Sequence, residues 1–228
     1  MSLTRLLHDL PLGTLCAVDI PEAPPEPGDP LWEELLPEEH AHLATLPPAR
    51  QPSFAAGRVA LGAALQAGGF PRVPLLSDPR GAPQVPPGAL GSISHKRKLA
   101  VGLAAPAHPS HPSGLGVDLE ELRPLRVDIS RRVLTPAERA QLEGLVGRDR
   151  DAAILLRFSL KEAFFKAANG LVAGSLSFED LTVVAVAADG MVALAGPALE
   201  RHGLVAQAWA QASAPLPGYI VSAVQVAR

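Results

Sequence analysis

Three carboxylates and two lysines stand in this chain at spacings that could hold a divalent cation and the phosphates it bridges. Asp118 and Glu120 lie in the segment GVDLE (residues 116–120), and Glu162 lies between Lys161 and Lys166 in the decapeptide FSLKEAFFKA (residues 158–167). In an extended segment successive side chains alternate, so Asp118 and Glu120 share one face while Val117 and Leu119 take the other. Oxygen donors of this kind suit a hard divalent cation. On a helix, Glu162 and Lys166 lie one turn apart on the same side, and Lys161 points about a quarter turn away. Each part also has a plainer reading. A Glu–Lys pair four residues apart stabilises a surface helix by about 0.2–0.5 kcal/mol, and an Asp-x-Glu on a half-buried strand is commonly a solvated face.

Positioning these groups requires a strand at 116–120 and a helix through 158–167. Phe158, Ala163, Phe164 and Phe165 give that helix an apolar contact surface, and its start is expected near Asp149 or Asp151. A second helix is expected over 54–66, apolar and alanine-rich, closed by Gly68 and Gly69. A third should begin with Thr135 as N-cap, Pro136 at the first position and Glu138 completing a capping box, and run to about Leu145. Strands are expected at 99–105, 181–187, 191–195, 204–212 and 219–226, with a hairpin turn at 188–190. The 24 prolines concentrate between Pro21 and Pro52 and between Pro71 and Pro87, which predicts loops with only short helices there. The stretch PAHPSHPSG (residues 106–114) reads as a connector. The fold class is therefore α+β, with an N-terminal lobe at 1–113 and a C-terminal lobe at 114–228.

Bulk properties exclude several classes. With 228 residues, 47% hydrophobic and 19% charged, the chain is globular, and no apolar run approaches the roughly 18–20 residues of a membrane span. Asp9, Pro11 and Asp19 interrupt the mildly apolar 10–17 stretch as a leader core, so the chain reads as cytoplasmic. The formal charge of −3 argues against a broad nucleic-acid footprint. Charge is locally uneven: Lys96, Arg97 and Lys98 follow GSISH (residues 91–95), and Arg123, Arg126, Arg131, Arg132 and Arg139 follow GVDLE. Such runs read as solvated faces or as a patch for an acidic partner protein or a polyanionic cofactor. Cys16 is the single cysteine, which removes an internal disulfide and reads as a small buried hydrophobe.

GSISH, GVDLE and FSLKEAFFKA, in this order and at these separations, resemble the 4'-phosphopantetheinyl transferase superfamily, the Sfp-type enzymes and especially the branch that serves enterobactin synthesis. ARQPSFAAGRVALGAAL (residues 49–65) and RGAPQVPPGALGSISH (residues 80–95) resemble that branch as well, so the likeness covers roughly 50–168. The resemblance implies two similar lobes in pseudo-twofold arrangement, each a mainly antiparallel sheet with packed helices, with coenzyme A in the cleft between them. It implies a magnesium-dependent enzyme, with manganese as an alternative ion, that moves the 4'-phosphopantetheine arm of coenzyme A onto a serine of an apo acyl or peptidyl carrier protein and releases adenosine 3',5'-bisphosphate.

By position, Asp118, Glu120 and Glu162 match the metal ligands. Glu162 or a metal-held water would be the base, and Lys166 would assist the leaving group. Lys161 and Lys166 match contacts to the coenzyme A phosphates. Ser94 and His95 match nucleotide and 3'-phosphate contacts, and Arg50, Arg58 and Arg80 are further phosphate ligands. Phe158 stands where many relatives have tryptophan, and Arg80 where lysine is frequent. The pathway implied is siderophore, nonribosomal peptide or polyketide synthesis, with a monomeric enzyme. Two rivals use the same residues differently: a magnesium-dependent hydrolase of coenzyme A or a nucleotide diphosphate, and a coenzyme A binding module without transfer.

Overall fold

The computed structural model describes residues 5–228, and these fall into two units that part between Pro109 and Ser110, inside the proline-rich connector. Each unit is a long helix laid on an antiparallel sheet, so the molecule is α+β.

In the first unit, β1 (Arg5–Leu10) and β2 (Gly13–Asp19) form a hairpin, followed by the short helices α1 (Pro30–Glu33) and α2 (Pro37–Leu43). The long helix α3 (Gln51–Ala67) precedes β3 (Ala89–Lys96) and β4 (Leu99–Pro106), and the sheet order is β1-β2-β4-β3. Alanines and glycines let α3 lie close to the sheet. A β-carbon at Gly102 of β4 would fall 2.3 Å from the Leu61 backbone nitrogen, so only glycine allows that approach. Leu61, Leu65, Leu43, Leu75, Cys16 and Val18 make the core beneath it, each worth about 1.5–3 kcal/mol for a large aliphatic side chain. Burial pushes the Cys16 thiol up to about 11, so it packs as a neutral apolar group. Glu39, fully buried, joins this core by taking the Arg72 guanidinium at 2.6 Å and the Leu75 amide at 2.9 Å.

The second unit opens with β5 (Ser113–Glu121), then α4 (Ser130–Val133), α5 (Pro136–Gln141) and the 22-residue α6 (Gly147–Ala168). β6 (Thr182–Val186), β7 (Met191–Ala195), α7 (Pro197–His202), β8 (Val205–Ala212) and β9 (Tyr219–Ala227) complete it, in sheet order β5-β9-β8-β7-β6. α6 lies against β5 and β9 through two glycines: β-carbons at Gly114 and Gly116 would fall 2.0 Å from the Ala167 carbonyl oxygen and 1.8 Å from that of Ala163. The inward face of α6, with Leu160 and Phe164, meets Leu181, Val183, Val224 and Val226 in the second core.

The capping box at Thr135 and Glu138 forms, but its helix stops at Gln141 rather than near Leu145. Gly144 and Gly147 both take positive φ there (+87° and +56°), which closes the turn and restarts the chain as α6 two to four residues before its expected start. Three strands, β1, β2 and β3, and the helices α4 and α7 are not anticipated by the sequence reading. The 10–17 stretch weighed as a leader core is largely β2, while residues 1–4 lie outside the described residues. Among the described residues no helix is long and apolar enough to cross a membrane.

Candidate active site

The second unit gathers the chemistry on one side of α6. β5 runs antiparallel to the helix, and Gly114, Gly116, Asp118 and Glu120 alternate onto the face that α6 covers. Asp118 and Glu120 are both buried, at 6% and 7% exposure, on an edge strand of the sheet. Lys166 reaches back from the helix and donates to the Asp118 carboxylate and to the Val117 carbonyl, both at 2.8 Å. Glu162, half-buried, sits one helical turn before Lys166 on the same side. Lys166 on the helix thus meets Asp118 on the strand, with Glu162 one helical turn away along α6.

Among the described residues no three His, Cys, Asp or Glu side chains assemble into a ready-made metal cage. The donor set nevertheless fits magnesium, which takes one or two carboxylates and completes its shell with water and substrate phosphate. The Lys166 ammonium at Asp118 already places a cation against that carboxylate.

Lys161 has a different role from the one its motif position suggested. Its side chain is fully buried, and its ammonium donates to the Val133 carbonyl (2.8 Å), the Glu138 carboxylate (2.6 Å) and the Phe178 carbonyl (2.8 Å). Those three bonds use every proton an ammonium has, so a phosphate finds no donor there. Burial lowers its pKa while Glu138 opposes the shift. Glu138, noticed in the sequence only as a cap, also receives the Thr135 and Val183 amides and so ties α5, β6 and α6 together.

The first unit holds the basic candidates. Arg58, on α3 and only 7% exposed, donates to the Ser77 hydroxyl at 2.8 Å and lies 4.4 Å from the centre of the Phe54 ring. Its Nε is buried with no hydrogen-bonding partner among the described residues. Burial brings its pKa down to about 10, with Glu39 opposing, so the guanidinium stays charged at neutral pH. A buried cation with an unmet donor is a good receptor for an anion.

Ser77 leads into a turn in which the Asp78 carboxylate accepts the amides of Arg80 and Ala82, leaving the Arg80 side chain exposed. Ser94 is buried and His95 exposed on β3, whose Ile93 packs against Gly57, the neighbour of Arg58. Arg50 is exposed at the start of α3. Ser77 and Phe54 had no signal in the sequence beyond their proximity to these arginines. Of the arginines after GVDLE, Arg123, Arg126, Arg131 and Arg132 are exposed, and Arg139 is held by the Leu134 carbonyl.

Two family models describe the two units in turn: the N-terminal domain of 4'-phosphopantetheinyl transferases over 38–105, and the 4'-phosphopantetheinyl transferase superfamily over 114–209. The chain belongs to the 4'-phosphopantetheinyl transferase superfamily. The second superfamily match contains Asp118, Glu120, Lys161, Glu162 and Lys166; the first contains Arg50, Arg58, Arg80, Ser94 and His95.

Among superfamily relatives, the chain is 40% identical over 155 residues to 4'-phosphopantetheinyl transferase Svp of Streptomyces mobaraensis, covering 68% of this chain and 62% of that protein. It is 35% identical over 77 residues to a holo-[acyl-carrier-protein] synthase of Geobacillus kaustophilus, covering 31% of this chain and 60% of that one. The chain therefore spans about six-tenths of the length of the curated relatives it matches. A solved holo-(acyl-carrier-protein) synthase from Bacillus anthracis, in complex with CoA (3',5'-ADP), is similar with a TM-score of 0.40 and 24% identity, over 50% of this chain and 94% of that one.

Proposed function

We propose that this protein transfers the 4'-phosphopantetheine arm of coenzyme A to a serine hydroxyl of an apo acyl or peptidyl carrier protein, in a magnesium-dependent reaction that releases adenosine 3',5'-bisphosphate. The observation that carries this reading is the ion pair between Lys166 of α6 and Asp118 of β5, with Glu162 one helical turn before that lysine, inside the segment that matches the superfamily.

In this reading Asp118, Glu120 and Glu162 hold the magnesium, which when bound neutralises the diphosphate and favours an in-line approach. The serine oxygen forms a bond to the phosphorus that carries the pantetheine arm. The diphosphate P–O bond breaks, and its electron pair leaves on the adenosine bisphosphate. Glu162 takes the serine proton. Lys166, a flexible ammonium beside Asp118, follows the charge that develops on the leaving oxygen. Arg58 receives a phosphate through its unmet Nε donor, supported by Arg50, Arg80, Ser94 and His95.

Within the superfamily we read the chain as Sfp-type, nearest the enterobactin-synthesis branch, serving siderophore, nonribosomal peptide or polyketide synthesis as a cytoplasmic monomer. The four exposed arginines between Arg123 and Arg132 suit the acidic surface of a carrier protein.

The test is the intact mass of an apo carrier protein after incubation with this protein, coenzyme A and magnesium, beside chelator and no-enzyme controls. A magnesium-dependent gain of one phosphopantetheinyl group is expected. Cleaved coenzyme A with an unmodified carrier would make it a hydrolase; neither change would make it a binding module. Arg58→Ala should raise the KM for coenzyme A by about tenfold or more and largely spare kcat, since a charged hydrogen bond contributes about 1.5–3 kcal/mol to binding. His95→Ala should act in the same direction. With 3'-dephospho-coenzyme A the wild-type advantage should shrink, and an equal gap with both substrates would move Arg58 off the 3'-phosphate.

A further inference from the structure

Two hydroxyls lie inside the second unit with nothing in the described protein to bond. Ser159 on α6 and Ser222 on β9 are both fully buried, and neither Oγ has a hydrogen-bonding partner among the described residues. A serine in mid-helix commonly turns its hydroxyl back to the carbonyl one turn earlier, and Ser159 does not.

Their places in the fold bring both toward one carboxylate. Ser222 is directly opposite Asp118 in the β5–β9 register, and its other cross-strand neighbour is Ala210, which offers no polar side chain. Directly opposed residues on an antiparallel pair hold their β-carbons about 4.5–5.5 Å apart on the same face. Ser159 reaches that face from the helix. Ala167 meets Gly114 and Ala163 meets Gly116, so each step of four on α6 matches a step of two on β5, and the next step sets Ser159 against Asp118. Glu120, two residues on, faces Ile220 across the strands.

We propose that Ser159 and Ser222 hold an internal water that bonds the Asp118 carboxylate from the side away from Lys166, making both serines positioning residues for that acid. A layer of fully buried hydroxyls without protein partners is the setting in which proteins keep a bridging water, because leaving the groups unmet costs stability. With Lys166 on one oxygen and the water braced by two hydroxyls, the carboxylate is fixed in orientation between strand and helix. Groups that fix a ligating carboxylate commonly change metal affinity by about 10–100-fold when removed. The inference that orientation matters for metal rests on the proposed function; the water itself does not.

Three measurements on the full chain test it. A high-resolution crystal structure should show a density peak within hydrogen-bonding distance of Ser159 Oγ, Ser222 Oγ and the Asp118 carboxylate; dry space there would overturn the proposal. In metal-free buffer Ser222→Ala and Ser159→Ala should each lower Tm by about 2–4 °C, the shift that the loss of one modest interaction gives a chain of this size. An unchanged or raised Tm would mean the hydroxyls were unmet, and alanine relieved them. Electron paramagnetic resonance titration with manganese alone should show about tenfold weaker binding in Ser222→Ala, and a gain in Ser222→Cys, which keeps a small polar group. A lowered Tm with unchanged manganese affinity would overturn the positioning role while leaving the water. No manganese uptake by the unsubstituted protein, with the density peak present, would overturn the metal reading of Asp118 and the positioning role built on it.

Discussion

Glu162→Ala should leave the fold standing and remove most of the turnover. The side chain is half-buried, and a helical pair at its spacing from Lys166 would contribute only about 0.2–0.5 kcal/mol, too little to move Tm far. Its proposed work is chemical. A positioned base contributes about 10²–10⁴-fold, so the rate of carrier modification, followed by intact mass over time, should fall by at least about a hundredfold. Glu162→Gln keeps size and hydrogen bonding and should recover little of that rate. Two controls sharpen the reading: an unchanged thermal transition, and coenzyme A binding retained through Arg58. Full activity in Glu162→Ala would remove this residue from both metal and base assignments.

The largest effect on stability should come from a pair that never meets substrate. Removing one partner of a buried ion pair costs about 3–5 kcal/mol, because the other charge stays in a dry site. Lys161→Met keeps the apolar stem and strands the Glu138 carboxylate. Glu138→Ala strands the ammonium and also deprives the Thr135 and Val183 amides of their acceptor, so it should cost more than Lys161→Met. Urea unfolding of both variants checks the order. A double variant, Lys161→Met with Glu138→Leu, should recover part of the loss, since two apolar groups replace two buried charges. Should Lys161→Met unfold like wild type and instead raise the KM for coenzyme A, the ammonium contacts phosphate after all.

That lysine also shows where sequence reading stops. FSLKEAFFKA marks Lys161 as a charged residue on a helix, and nothing in those ten letters says that a glutamate 23 positions earlier will enclose it. Glu162 and Lys166 were legible because their spacing is local, and Asp118 because strand alternation decides its face without help from afar. The capping box at Thr135 formed for the same reason. β3 was not read as a strand, because ALGSISHK is short of branched and aromatic residues; its extended form is imposed by eight paired positions on β4. β1 escaped notice too, since RLLHDL does not alternate cleanly and most of it is exposed at a sheet edge. Ser159 and Ser222 gave no sign at all: their meaning is a cross-strand register and a helix step, neither of which is written locally.

The two glycines under α6 set a distance by what they lack. With no β-carbon at 114 or 116, the helix backbone comes to rest directly on β5, and an alanine at 116 would force it back by roughly 1.5 Å before ordinary contact returned. The gauge between the acid on the strand and the acid on the helix is therefore calibrated at positions that carry no functional atom. Error there has one permitted direction, since the two surfaces can be wedged apart but not brought closer.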